Sequence, residues 1–139
     1  MVKVDVVRRK MGKALAWLND AEAILSRPSN EFLADIQGRD LATFYLFLAI
    51  QECIDLAAHW VADAGWGPAD DATSTFDVLA DHGAIDRDLA EKMRSAVGLR
   101  NRIAHGYALI DHSRLQSEFQ EGVGVLRNFL ALVSGEAGL

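Results

Sequence analysis

The chain has 139 residues, half of them hydrophobic, which is enough for one domain with a real core. Its formal net charge of −6 argues against a basic nucleic-acid coat protein, though not against an enzyme that grips a few phosphates locally. A single cysteine, Cys53, excludes a disulfide framework and a thiolate metal site.

Only Pro28 and Pro68 interrupt the chain, and strand-like alternation is scarce. Apolar residues instead recur at steps of three and four. Val4, Val7, Met11, Ala14, Leu18, Ala21 and Leu25 define an amphipathic first helix over 4–26, ended by Arg27-Pro28. A second helix is predicted over 40–64, with Asp40 as its N-cap and Gly65 as its C-terminal glycine. A loop over 66–74 leads to a short helix over 75–83, closed by Gly83. Asp86 caps the next helix, 87–104, and Ser113 with Gln116 resembles a capping box opening a last helix through Val133. That helix carries Leu115, Phe119, Val123, Leu126, Leu130 and Val133 on one side. The sum is an all-α, up-and-down bundle of four long helices and one short one, a single domain over 1–139. The basic N-terminus is not followed by a signal-type apolar run, and no stretch reaches the roughly 20 apolar residues of a membrane span, so a cytoplasmic protein is expected.

The second helix has one wide apolar face: Leu46, Phe47, Ile50, Cys53, Ile54, Ala57, Trp60, Val61 and Ala64. Gln51, Glu52, Asp55 and His59 gather opposite, where an Asp55–His59 pair at i, i+4 is the plain expectation. Leu41, Phe44, Tyr45 and Leu48 make the front half apolar nearly all round, so something must cover it, and a second subunit is the simplest cover. Cys53 reads as a small core residue, not a nucleophile.

On the fourth predicted helix, Leu89, Met93, Ala96, Val97, Ile103 and Ala104 form the inward stripe, and Arg100 falls inside it. A buried charge needs a partner or a cleft. The partner could be Glu52, Asp55 or Asp63; alternatively the guanidinium sits at the floor of a cleft and waits for an anion, since its forked donors match phosphate. Five residues further stands His105. In an unbroken helix that is about 140° away from Arg100, so the two meet only if Gly106 stops the helix and the chain turns His105 back. An imidazole there, with an unperturbed pKa of about 6.5, would exchange protons near neutrality.

The segment AVGLRNRIAHGYALID (96–111) resembles the R-x4-H-x-Y segment of the HepT toxins, small all-α ribonucleases of the HEPN superfamily. IQECIDLAAHWVADAG (50–65) is similar to that family's second helix, and the spacing between the two blocks, the preceding short helix and the terminal helix also fit, so the resemblance covers almost the whole chain. It implies a homodimeric HEPN bundle and a metal-independent endoribonuclease without cofactor, leaving 2′,3′-cyclic phosphate ends. Arg100 would hold the scissile phosphate, His105 would act as general acid or base, and Asn101 would orient one of them. Glu52, Asp55 and His59 either line that site or border it. The resemblance also implies a toxin–antitoxin pair of the HepT/MntA (type VII) kind, whose nucleotidyltransferase antitoxin transfers AMP to Tyr107. The plainer account of Tyr107 is an aromatic covering the helix end. A different class stays open: a non-catalytic helical subunit that binds substrate for a nucleotidyltransferase.

Overall fold

The computed structural model describes residues 4–139, and every regular element among them is helical. Four long helices and two short ones succeed one another: α1 (Val4–Leu25), α2 (Ser29–Ala34), α3 (Ile36–Asp63), α4 (Ala72–Asp81), α5 (Arg87–Gly106) and α6 (His112–Ala137). A single 3₁₀ turn, Tyr107–Leu109, joins α5 to α6.

Side-chain contacts fix the directions. Lys10 reaches Glu52 and Asp55, while Trp17 stacks on Tyr45 at 5.9 Å, so α1 and α3 run antiparallel. Arg100 and Tyr107 of the α5 end meet Gln51 and Asp40, so α5 also opposes α3. Gln116 bonds back to the end of α1 and Arg127 bonds to Asn19 and Glu22, so α6 opposes α1. The long helices therefore alternate in direction along the chain, as an up-and-down bundle requires.

The core runs through all of them. Val7, Ala14, Leu18, Ala21 and Leu25 are the buried stripe of α1, whereas Val4 is exposed and Met11 half-buried. Phe129 packs between Trp60 and the edge of Phe76, at 6.4 and 5.4 Å. Cys53 is fully buried and burial pushes its thiol up to about 12, as a core residue. By length and composition α3 could cross a bilayer; half of its most apolar stretch is buried inside the bundle, which accounts for that composition.

Several boundaries depart from the sequence expectation. α3 starts at Ile36, capped by the Asp35 side chain, which accepts from the Gly38 N–H. Asp40 is therefore not an N-cap; it lies one turn inside α3, where its carboxylate meets Tyr107. The extra turn of α3 follows from α2, a short helix absent from the prediction. Phe32 of α2 is fully buried and ties the α1–α3 link to the core. α4 begins at Ala72, three residues earlier than expected, because the Asp71 carboxylate caps it through the Ser74 N–H. Asp111, not Ser113, caps α6 through the Arg114 N–H. Gln116 forms no capping box: its buried amide donates to the Leu25 and Arg27 carbonyls at 3.1 and 2.8 Å. Gly65 and Gly83 do close α3 and α4, each at a φ near +75° that side chains other than glycine adopt at a cost.

Candidate functional site

One face of α3 organises the site. Asp40, Phe44, Gln51 and Asp55 recur at spacings of four, seven and four, so they fall within about 60° of one another around the helix. α5 and the turn after it lie against this face at two points.

At the first point, the Arg100 Nη1 donates to the Gln51 side-chain carbonyl at 2.8 Å. Arg100 stands among Met93, Val97 and Ile103, all buried, so the inward placement expected of it holds. Its partner differs from the expectation. Glu52, Asp55 and Asp63 were the carboxylates at hand, yet the contact is with a neutral amide. The Gln51 Nε2 donates in turn to Asp55 at 3.1 Å. Asp55 and Glu52 both face Lys10 of α1, at 3.4 and 3.5 Å. An anticipated Asp55–His59 pair gives way to this Lys10–Asp55–Gln51–Arg100 chain, and His59 sits half-buried one turn beyond it. The Arg100 Nε is buried and finds no hydrogen-bond partner among the described residues.

At the second point, the Tyr107 hydroxyl donates to the Asp40 carboxylate. The Tyr107 ring also lies 5.6 Å from that of His112. Thr43, fully buried, donates to the Arg39 carbonyl, and its hydroxyl is 3.4 Å from the His112 Nδ1. Arg39 adds its guanidinium 3.6 Å from Asp40. Burial, then the Asp40 hydrogen bond and charge, push the Tyr107 phenol up to about 12. Burial, then the Arg39 charge, lower His112 below the usual imidazole range, with Asp40 and Asp111 opposing.

Between these points the chain does not turn back as anticipated. α5 remains helical through Gly106, whose φ of −146° opens the 3₁₀ turn only at Tyr107. His105 therefore projects about 140° away from Arg100, into solvent, and shares its exposed face with Asn101 four residues before. Ala104, expected in the inward stripe, is exposed as well. Within this chain Arg100 lies inward and His105 outward. A glycine that is compatible with a helix stop, but does not impose one, explains the difference.

Sequence reasoning missed Lys10, Asp40, Thr43 and His112, and placed Gln51 only on a polar face. Gln51 carried a readable signal, since it stands four residues before Asp55 and helical neighbours at that spacing touch. Asp40 carried a misleading one: an aspartate near a helix start reads as a cap.

The all-helical bundle thus sets a guanidinium, an exposed imidazole and a half-buried phenol near one end of α5. The chain belongs to the ribonuclease HepT-like family, whose model matches residues 15–133. It is 34% identical over 91 residues to a protein named putative RNase from Archaeoglobus fulgidus, covering 65% of this chain and 68% of that one. It is 23% identical over 107 residues to the mRNA nuclease HepT of Shewanella oneidensis, covering 77% and 80% of the two chains. Among solved structures it superposes, with a TM-score of 0.87 and 20% identity, on the tri-AMPylated Shewanella oneidensis HEPN toxin in complex with MNT antitoxin, covering 97% of this chain and 99% of that one.

Proposed function

We propose that this protein is the toxin of a HepT/MntA-type pair, a cytoplasmic endoribonuclease silenced by AMP transfer to Tyr107. The observation that carries this reading is a complete Arg100-x4-His105-x-Tyr107 motif inside the matched family region, with its arginine held by an uncharged partner. A guanidinium already neutralised by a carboxylate would have little to offer a phosphate; this one rests on a neutral amide.

In the reaction, Arg100 binds the scissile phosphate and stabilises the charge that builds on its oxygens. His105 takes the proton of the ribose 2′-hydroxyl as that oxygen attacks phosphorus. The bond to the 5′-oxygen breaks, that oxygen takes a proton from an imidazolium or from water as it leaves, and a 2′,3′-cyclic phosphate remains. Neither step calls for a metal. Asn101, on the same exposed face as His105, orients the imidazole or the phosphate. Because one subunit points Arg100 and His105 apart, the site is completed in a homodimer, where two copies of the motif face one cleft. Glu52 and Asp55, occupied by Lys10, border the site and shape its field; His59 lies at its far rim.

An AMP group on Tyr107 would bring phosphate and bulk to the end of α5. It would break the Tyr107–Asp40 bond, compete for the cationic groups nearby and repel RNA.

Expression of the chain alone should arrest growth, and Arg100→Ala or His105→Ala should each restore it. His105 is exposed, so its loss should leave stability within about 0.5 kcal/mol of wild type, and relief of arrest then reports chemistry rather than folding. Growth unaffected by abundant, folded wild-type protein would overturn the reading. Mass analysis of cleaved RNA tests the cyclic phosphate end, and an intact-mass gain of one or more AMP groups, lost in Tyr107→Phe, tests the modification.

A further inference from the structure

Gln51 is the residue on which Arg100 rests, and both of its amide ends are committed. Its carbonyl accepts from the Arg100 Nη1 at 2.8 Å, and its Nε2 donates to Asp55 at 3.1 Å. The second bond fixes which way the amide points: with Nε2 held by a carboxylate, only the oxygen can face the guanidinium. Asp55 is in turn held by Lys10 at 3.4 Å, on its other oxygen, and Lys10 also takes Glu52. Glu52 and Asp55 are thus both drawn toward α1. Among the described residues, Arg100 has the neutral Gln51 as its anchor and a buried Nε that meets no partner.

We propose that Gln51 is a positioning residue for RNA cleavage, anchoring Arg100 through a neutral acceptor so that the guanidinium is fixed in place while its charge stays available for phosphate. The inference rests on the ribonuclease reading above and adds a residue to it. A carboxylate at this position would hold Arg100 as firmly, or more so, and would spend its charge on a permanent ion pair. An apolar residue of the same length would leave the charge but not the position. Lys10 has a defined part in the arrangement: it keeps Asp55 oriented toward the Gln51 amide and away from Arg100.

The test compares Gln51→Glu and Gln51→Met with wild type, as full-length protein, on a short fluorescent single-stranded RNA, with kcat, KM and thermal midpoint measured for each. Gln51→Glu gains an ion pair with Arg100 but sets a carboxylate against Asp55 where an amide donor stood, so it is expected to melt near the wild-type temperature and yet to lose kcat by about 100-fold, the scale of misplacing or neutralising a reacting group. Gln51→Met is expected to lose kcat comparably, with its KM raised less than its kcat is lowered. A merely structural glutamine predicts the opposite pattern, with activity following the melting temperature across the two variants. Cleavage by Gln51→Glu at the wild-type kcat overturns the inference while leaving the ribonuclease reading in place. Absence of cleavage by the wild type overturns that reading, and this inference with it. Should either variant fail to fold, the other decides.

Discussion

At the scale of single residues, the Tyr107–Asp40 contact has the clearest measurable consequence. A phenol that donates to a carboxylate loses that bond when it ionises and gains a repulsion, so the contact favours the neutral form. Spectrophotometric titration should place one tyrosine near 12, and Asp40→Asn should bring it down toward the ordinary value of about 10 without reaching it, because burial remains the larger cause. An unchanged titration would mean that Asp40 does not face the phenol in solution. His112, whose ring lies 5.6 Å from that of Tyr107, gives a pH dependence of stability. Its folded-state pKa is lowered, so the unfolded chain takes up the proton first as pH falls. Stability is therefore fully present above the unfolded value of about 6.5 and is lost as pH drops through the lowered folded value. NMR titration of the ring should show His112 as the late-titrating imidazole, and His112→Phe should flatten the acid limb of the stability curve.

At the scale of elements, the long helices were legible because a period of three to four residues written over 20 or more positions leaves little choice. The ends were not, since several polar residues compete for each cap and only geometry selects among them. Asp35, Asp71 and Asp111 won; Asp40 and Ser113 did not. α2 is too short to show a period, and its reason for existing, burial of Phe32, lies in tertiary contact. Arg100 could be read as inward from its place in the stripe, but its partner could not, because the registration of α5 against α3 is a property of packing. Gln116 shows how such packing replaces a local motif. Its amide satisfies two carbonyls where α1 ends, an ordering role that no spacing announces. Gln116→Leu keeps the volume and removes both donors, so it should destabilise by about 1–3 kcal/mol, seen as an earlier urea midpoint with an unchanged slope. A neutral result would show that those carbonyls are equally well served by water.

At the scale of the whole molecule, the apolar front of α3 and the separation of Arg100 from His105 point to one answer. Leu41 and Phe44 are 43% and 51% exposed, and Phe44 stacks on Phe47 with ring centres 6.3 Å apart. Phe44 stands seven residues before Gln51, hence on the same face of α3 and two turns from the Arg100 anchor. A second copy laid on this face would cover the exposed rings and, by symmetry, set a second α5 terminus beside the first. Under the proposed function, that arrangement would let an inward guanidinium and an outward imidazole serve one phosphate. Phe44→Glu places a charge where the two copies would meet. It should sediment as a monomer at concentrations where wild type is a dimer, keep the helical circular dichroism of wild type, and lose RNA cleavage although Arg100, His105 and Gln51 are all intact. A wild type that is itself monomeric at tens of micromolar, or a monomeric Phe44→Glu that still cleaves, would show that one subunit holds a complete site, and the outward direction of His105 would then need a different partner for its proton.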